Sequence, residues 1–227
     1  MLMISERDDR ELYIKAAGFI ADRIAGICAA QKQCVLGIVG GRSVPAILDK
    51  LLPYGPFNGR IEVFWLDERL HADHKNYAPV LPLLEQLHRE GVDIVWHPLQ
   101  STHKDSMQVE MRQVFNALVE LPGPTRFDLI ICSAGEDGHI ASLFPGHDTL
   151  HAQHAGYMME DHAPKAPPER VTITPQLITS ASEAVLFFIG EKRRAYELFS
   201  DPKTAVDQCP AKLLLQVPTF TVFTSLR

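Results

Sequence analysis

Residues 127–146, FDLIICSAGEDGHIASLFPG, narrow the possible folds more than any other stretch of the chain. Phe127-Asp128-Leu129-Ile130-Ile131-Cys132 is a short apolar run with β-branched residues. Such a run reads as a strand covered on both faces, the kind found in parallel sheets. It stops abruptly in Ser133-Ala134-Gly135-Glu136-Asp137-Gly138-His139, two glycines bracketing two acids with a histidine directly after. Ile140-Ala141-Ser142-Leu143 follows as a helix-compatible segment, ended by Pro145-Gly146. A strand that runs into a glycine-rich turn and a helix delivers side chains to the carboxyl end of a sheet, where open α/β folds hold their ligands. His139 is therefore placed for chemistry, although Asp-Gly is also a common turn dipeptide and a histidine after it is often a plain surface residue.

A second strand, residues 59–66, ends in the charged triplet Asp67-Glu68-Arg69. A third, 34–39, runs into Gly40-Gly41-Arg42-Ser43-Val44-Pro45 and a helix over 46–52. Free backbone N–H groups and a helix dipole make such a turn a candidate anion cradle. Without a Walker lysine or a Gly-x-Gly-x-x-Gly pattern, the spacing alone describes a tight turn equally well.

The rest of the chain keeps the same rhythm. Residues 8–31 predict an amphipathic helix, with Leu12, Ala16, Phe19, Ile20, Ile24 and Ile27 at three- and four-residue steps. A helix over 78–89, a strand over 93–96 and a helix over 106–119 follow, the last broken by Leu121-Pro122-Gly123-Pro124. Strands at 171–174, 184–189 and 219–224 alternate with a short helix over 175–180 and one after Gly190-Glu191-Lys192 that ends at Phe199. Alternation of this kind predicts a doubly wound, mostly parallel sheet sandwiched by helices, a Rossmann-like α/β fold, with 1–227 as a single domain.

Composition removes several functional classes. A net charge of −6 argues against nucleic acid as partner, since neutralising phosphates needs a basic surface. A small anionic substrate stays open, because a local cationic pocket fits within an acidic protein. Charged residues crowd the N-terminus before any long apolar run, so no signal peptide is expected, and no run reaches the roughly 18 apolar residues of a membrane span. Cys28, Cys34, Cys132 and Cys209 form no Cys-x-x-Cys pair and read as reduced core thiols of a cytoplasmic protein. His71 and His74 with Asp73 resemble a metal pair but lie on a loop without a third fixed ligand. His147, His151, His154 and His162, with Asp148 and Asp161, are scattered along one irregular segment and read as a mobile rim to the site, or a lid.

Two strand ends carrying Asp-Glu-Arg and Asp-Gly-His resemble the 6-phosphogluconolactonases. FWLDERLHADHKNY, the Asp-Gly-His-x-Ala-Ser-Leu-Phe-Pro signature, PPERVTITPQLITSA and IGEKRRAYEL each have a counterpart in that family, over roughly residues 34–217. The resemblance implies the fold shared with glucosamine-6-phosphate deaminase. It implies hydrolysis of 6-phosphoglucono-1,5-lactone to 6-phosphogluconate, a step of the oxidative pentose phosphate pathway, by water activated at His139. Asp137 would fix the imidazole tautomer, and Arg69 would steady the oxyanion or orient the sugar. The loop of Gly40, Gly41, Arg42 and Ser43 would hold the phosphate with Arg170 and Lys192, Arg193 and Arg194 being the alternative cations; Asp67, Asp73 and Asn76 fall near the sugar. The chain departs from the family pattern at Arg42, where a glycine is usual, at Val44, where a threonine is usual, and at Lys75, where a serine is usual. No cofactor and no metal is implied, and the expected partner is the small sugar-phosphate lactone, with no nucleic acid or membrane and a monomer or weak homodimer as the working unit. Two alternatives stand beside this reading: a non-catalytic sugar-phosphate sensor, and a glucosamine-6-phosphate deaminase, whose catalytic glutamate would fall at Phe144.

Overall fold

The computed structural model describes residues 1–41 and 43–226. Seven strands form one sheet: β1 (Leu2–Ser5), β2 (Gln33–Ile38), β3 (Arg60–Trp65), β5 (Ile94–His97), β6 (Leu129–Ser133), β9 (Glu183–Phe188) and β10 (Thr219–Thr224). Their spatial order is β1-β10-β9-β6-β2-β3-β5, and every neighbouring pair is parallel. From β2 the chain winds outward through β3 to β5, then returns to the other side of β2 to lay down β6, β9 and β10. The direction therefore reverses between β2 and β6, and in doubly wound sheets the crevice for ligands opens at that reversal. This is the doubly wound α/β architecture expected from the alternation of elements.

Helices α1 (Asp9–Gln31), α2 (Ser43–Leu51), α3 (Leu81–Arg89), α4 (Lys104–Glu120), α5 (Pro175–Thr179) and α6 (Arg193–Ser200) flank the sheet. The Asp8 side chain caps α1 by accepting from the Glu11 N–H, and Lys32 ends it in a left-handed conformation. α1 buries Leu12, Ala16, Ile20 and Ile24 at the spacing that the sequence predicts. The fully buried Phe64, Trp65, Phe127, Phe187, Phe188 and Phe223 anchor the core around the central strands. All four cysteines are buried and free. Among the described residues, no helix is long and apolar enough to cross a membrane.

The structure corrects four expectations. Residues 170–173 do form a strand, β8 (Arg170–Ile173), but it does not join the main sheet. It pairs antiparallel with β4 (Asp67–Arg69) and β7 (Tyr157–Glu160) in a three-stranded sheet of its own. Both edges of β6 are taken by β2 and β9, so β8 does not lie beside the strand it follows in the sequence-based order. Asp67-Glu68-Arg69 is accordingly a separate strand and not the tail of β3. The segment 147–166 is not a wholly irregular rim, because it contains β7, whose Tyr157 hydroxyl donates to the Trp65 carbonyl at 2.9 Å. Residues 140–143 are no helix: Ala141 stands at φ 51° after Gly138 at φ 86°, and the Ser142 N–H donates to Thr172 Oγ1. A helix cannot pass through left-handed residues with its N–H groups committed elsewhere. Finally, β1 was not foreseen; it is a four-residue edge strand, too short to show a period.

Candidate active site

The loops that leave β2, β6 and β9, together with β4 and β8, enclose a cleft of about 730 Å³. Nine of the residues singled out from sequence line it: Gly40, Gly41, Ser43, Asp67, Arg69, Asn76, His139, Arg170 and Lys192. Asp137 stands behind His139 rather than on the wall, and Arg42 lies outside the described residues. Arg193 and Arg194, the alternative cations, are exposed and absent from the wall, which leaves Lys192 as the cation contributed by that segment.

His139 Nδ1 lies 2.5 Å from Asp137 Oδ1. Burial works to raise the Asp137 carboxyl, but the hydrogen bond and charge of His139 outweigh it and hold the group at about 2. An ionised carboxylate only accepts, so Nδ1 carries the proton of the neutral imidazole and Nε2 carries the basic lone pair. The ring packs on Phe144, centroids 4.6 Å apart, and is 18% exposed. Only glycine fits at position 135, since a Cβ there would meet His139 Cε1 at 2.0 Å. The loop is also braced from a distant segment. The Ala211 N–H donates to the Gly138 carbonyl, the Gly146 N–H donates to the Asp207 carbonyl, and Cys209 Sγ would lie 2.8 Å from a Cβ on Gly138.

On the same cleft, Gly40 and Gly41 lead into the amino end of α2, so peptide N–H groups and the positive end of the helix border it. Lys192 Nζ donates to Ser133 Oγ at 2.7 Å, and Ser133 Oγ lies 3.5 Å from Ser43 Oγ. Three strand ends thus meet in one cluster of a cation and two hydroxyls.

Asp67 and Arg69 share one face of the extended strand β4, and Glu68 takes the other. Ser142 Oγ donates to Asp67 Oδ2 at 3.0 Å, joining the triplet to the Asp-Gly-His loop. Glu68 is fully buried and accepts three peptide N–H groups: Arg69 at 2.7 Å and Asn76 at 2.6 Å on Oε1, and Tyr77 at 2.9 Å on Oε2. Its burial pushes the carboxyl up to about 7 against the downward pull of those N–H groups. Arg170 is buried, its charge disfavoured by burial and favoured by nearby Asp67. Its Nε donates to the Pro167 carbonyl and its Nη2 to the Lys165 carbonyl, both at 3.0 Å. It therefore straps the 165–167 turn over the cleft.

Residues 7–222 match the family model described as glucosamine-6-phosphate isomerases/6-phosphogluconolactonase. The chain belongs to this family. Among curated relatives, the 6-phosphogluconolactonase of Borreliella burgdorferi is 32% identical over 212 residues, covering 86% of this chain and 85% of the relative. Among solved structures, 6-phosphogluconolactonase from Plasmodium vivax superposes with a TM-score of 0.81 at 18% identity, over 98% of this chain and 88% of that one. A monomeric glucosamine-6-phosphate deaminase superposes with a TM-score of 0.75 at 19% identity, over 100% of both chains. At these identities the superpositions speak for the fold, which is the Rossmann-like one.

In this member of the glucosamine-6-phosphate isomerase/6-phosphogluconolactonase family, sequence reasoning passed over Ser133 and the anchoring role of Glu68. Position alone marks the first, as the last residue of a buried strand. The second follows from strand alternation once Asp67-Glu68-Arg69 is recognised as extended. Among the described residues, no group of three or more His, Cys, Asp or Glu side chains converges in a way that could hold a metal ion.

Proposed function

We propose that this chain hydrolyses 6-phosphoglucono-1,5-lactone. The observation that carries the reading is His139, its Nδ1 held by Asp137, on the wall of a cleft that also gathers N–H groups, hydroxyls and Lys192. Opening a lactone needs a base to take the proton of the attacking water and a group to stabilise the oxyanion. His139 Nε2 is the base, and an imidazole with a reference pKa near 6.5 suits that task at neutral pH. Asp137 keeps the lone pair on Nε2 and stabilises the imidazolium that forms. Arg69 is the cation for the oxyanion or the sugar, with Asp67 and Asn76 as hydroxyl partners. The phosphate is held by the Gly41 N–H, by Ser43 and by Lys192, with Arg170 as the buried guanidinium beside it.

This reading calls for no cofactor or metal, and it has the chain acting as one domain, in the cytoplasm, as a monomer or weak homodimer. The buried ring of Phe144 against His139 puts an apolar surface where a deaminase would need a second acid. A sensor would have no use for the Asp137–His139 pair. The test is proton release from freshly generated lactone, with an unphosphorylated lactone alongside. Removing a general base costs about 10²- to 10⁴-fold. His139→Ala is therefore expected to lose at least about a hundredfold in kcat with KM little changed, and near-normal turnover would overturn the assignment.

A further inference from the structure

Arg69 and Asn76 reach the cleft from the two ends of one loop, and both ends are tied to a single carboxylate that does not itself line the cleft. We propose that Glu68 is a positioning residue for catalysis: its ionised carboxylate, by accepting the N–H groups of Arg69, Asn76 and Tyr77, sets Arg69 and Asn76 in their working places. The inference rests on the lactonase reading for its kinetic test, but its structural claim stands apart from it.

Three N–H groups on one fully buried side chain fix both the start of the loop and its return. The return is fastened further by Lys75 Nζ, which donates to the Ser101 carbonyl at 2.6 Å, while Glu110 accepts the N–H groups of Gln100 and Ser101. Two strand neighbours of Glu68 point the other way: Asp67 accepts from Ser142 Oγ and, at 3.4 Å, from the Gly40 N–H, so the triplet divides its labour between the cleft face and the loop behind it. The charged groups around Glu68 are Asp67 and Arg69 on its own strand, Lys75 on the loop and Arg170 on β8.

Protonation of this carboxyl removes its negative charge and spends one oxygen's lone pair on a proton, which weakens the acceptors offered to the three N–H groups. A glutamine at 68 is likewise neutral and puts a donor-only nitrogen in place of one oxygen, so Glu68→Gln weakens the same contacts at every pH. With the carboxyl raised to about 7, the wild type itself passes between the two states in an accessible range.

Two measurements test this. In a ¹H–¹⁵N spectrum of the whole protein, the amides of Arg69, Asn76 and Tyr77 are expected to titrate together between pH 5.5 and 8.5, and to stop doing so in Glu68→Gln. In steady-state hydrolysis of the phosphorylated lactone, corrected for spontaneous opening, Glu68→Gln is expected to lose about tenfold or more in kcat/KM at pH 8.5. That deficit is expected to narrow toward parity as the pH falls to 5.5. Parity at pH 8.5, a deficit that does not narrow, or amides that do not titrate would each overturn the proposal. If the wild type turns over no lactone, the function assignment fails and the amide titration alone decides the role of Glu68.

Discussion

Gly135→Ala tests the geometry of the site with a single methyl group. Gly135 is not among the positive-φ glycines, so its backbone accepts alanine without strain. The added Cβ would lie 2.0 Å from His139 Cε1, 2.1 Å from Nδ1 and 2.8 Å from Asp137 Oδ1, where ordinary contact begins near 3.4 Å. The imidazole must therefore retreat by more than about 1 Å, a misplacement that can cost about a hundredfold in rate. Its 2.5 Å bond to Asp137 cannot simply follow, because the same methyl crowds the carboxylate. A hundredfold loss corresponds to about 2.7 kcal/mol of transition-state stabilisation. The assay is kcat from proton release on fresh lactone, with thermal melts to show that the fold persists. Turnover within about threefold of wild type, from a protein with an unchanged melt, would refute the claim that the contact between Gly135 and the ring sets the base.

Two further outcomes are expected. Asp137 is depressed from 3.8 to about 2 in the folded protein, so its pairing with His139 contributes stability that is present above the ordinary carboxylate pKa and is lost as pH falls through about 2. Discounted for the one-third exposure of the side chain, the contribution is about 1 to 2 kcal/mol. Asp137→Asn is accordingly less stable than wild type by that amount near pH 7 in urea melts, with the gap closing toward pH 2; a gap independent of pH would argue against the pairing. Arg170→Met removes the donors to the 165–167 carbonyls. It is expected to cost about 1 to 3 kcal/mol and to open the bond after Lys165 to trypsin, and a protein as protease-resistant as wild type would show that the turn holds itself.

The sheet was legible because parallel strands are apolar throughout, and runs such as 129–132 and 184–188 advertise themselves. The three-stranded sheet was not, since β4 and β7 have three and four residues and alternate too briefly to display a period. Local pattern also misread residues 140–143, whose conformation is set by Thr172, thirty residues away, through a side-chain hydrogen bond that no window of sequence contains. The residues of the site were legible because their chemistry is concentrated at strand ends. The partner of each was legible only where it lay close in sequence, as Asp137 does to His139. The contacts of Ser133 with Lys192 and Ser43 span 59 and 90 positions, and only the winding order of the strands brings them together.

The bracing of the Asp-Gly-His loop by residues 207–211 makes that loop a dependent piece of architecture. Its left-handed turn at Gly138 is seated against Cys209, so the short segment between α6 and β10 acts as its mould. Grafting residues 135–146 onto the end of another strand would carry the signature across without the shape. For the same reason, variation at 205–211, far from the histidine in sequence, reaches the setting of His139 directly, and any redesign of this loop has to treat the two stretches as one part.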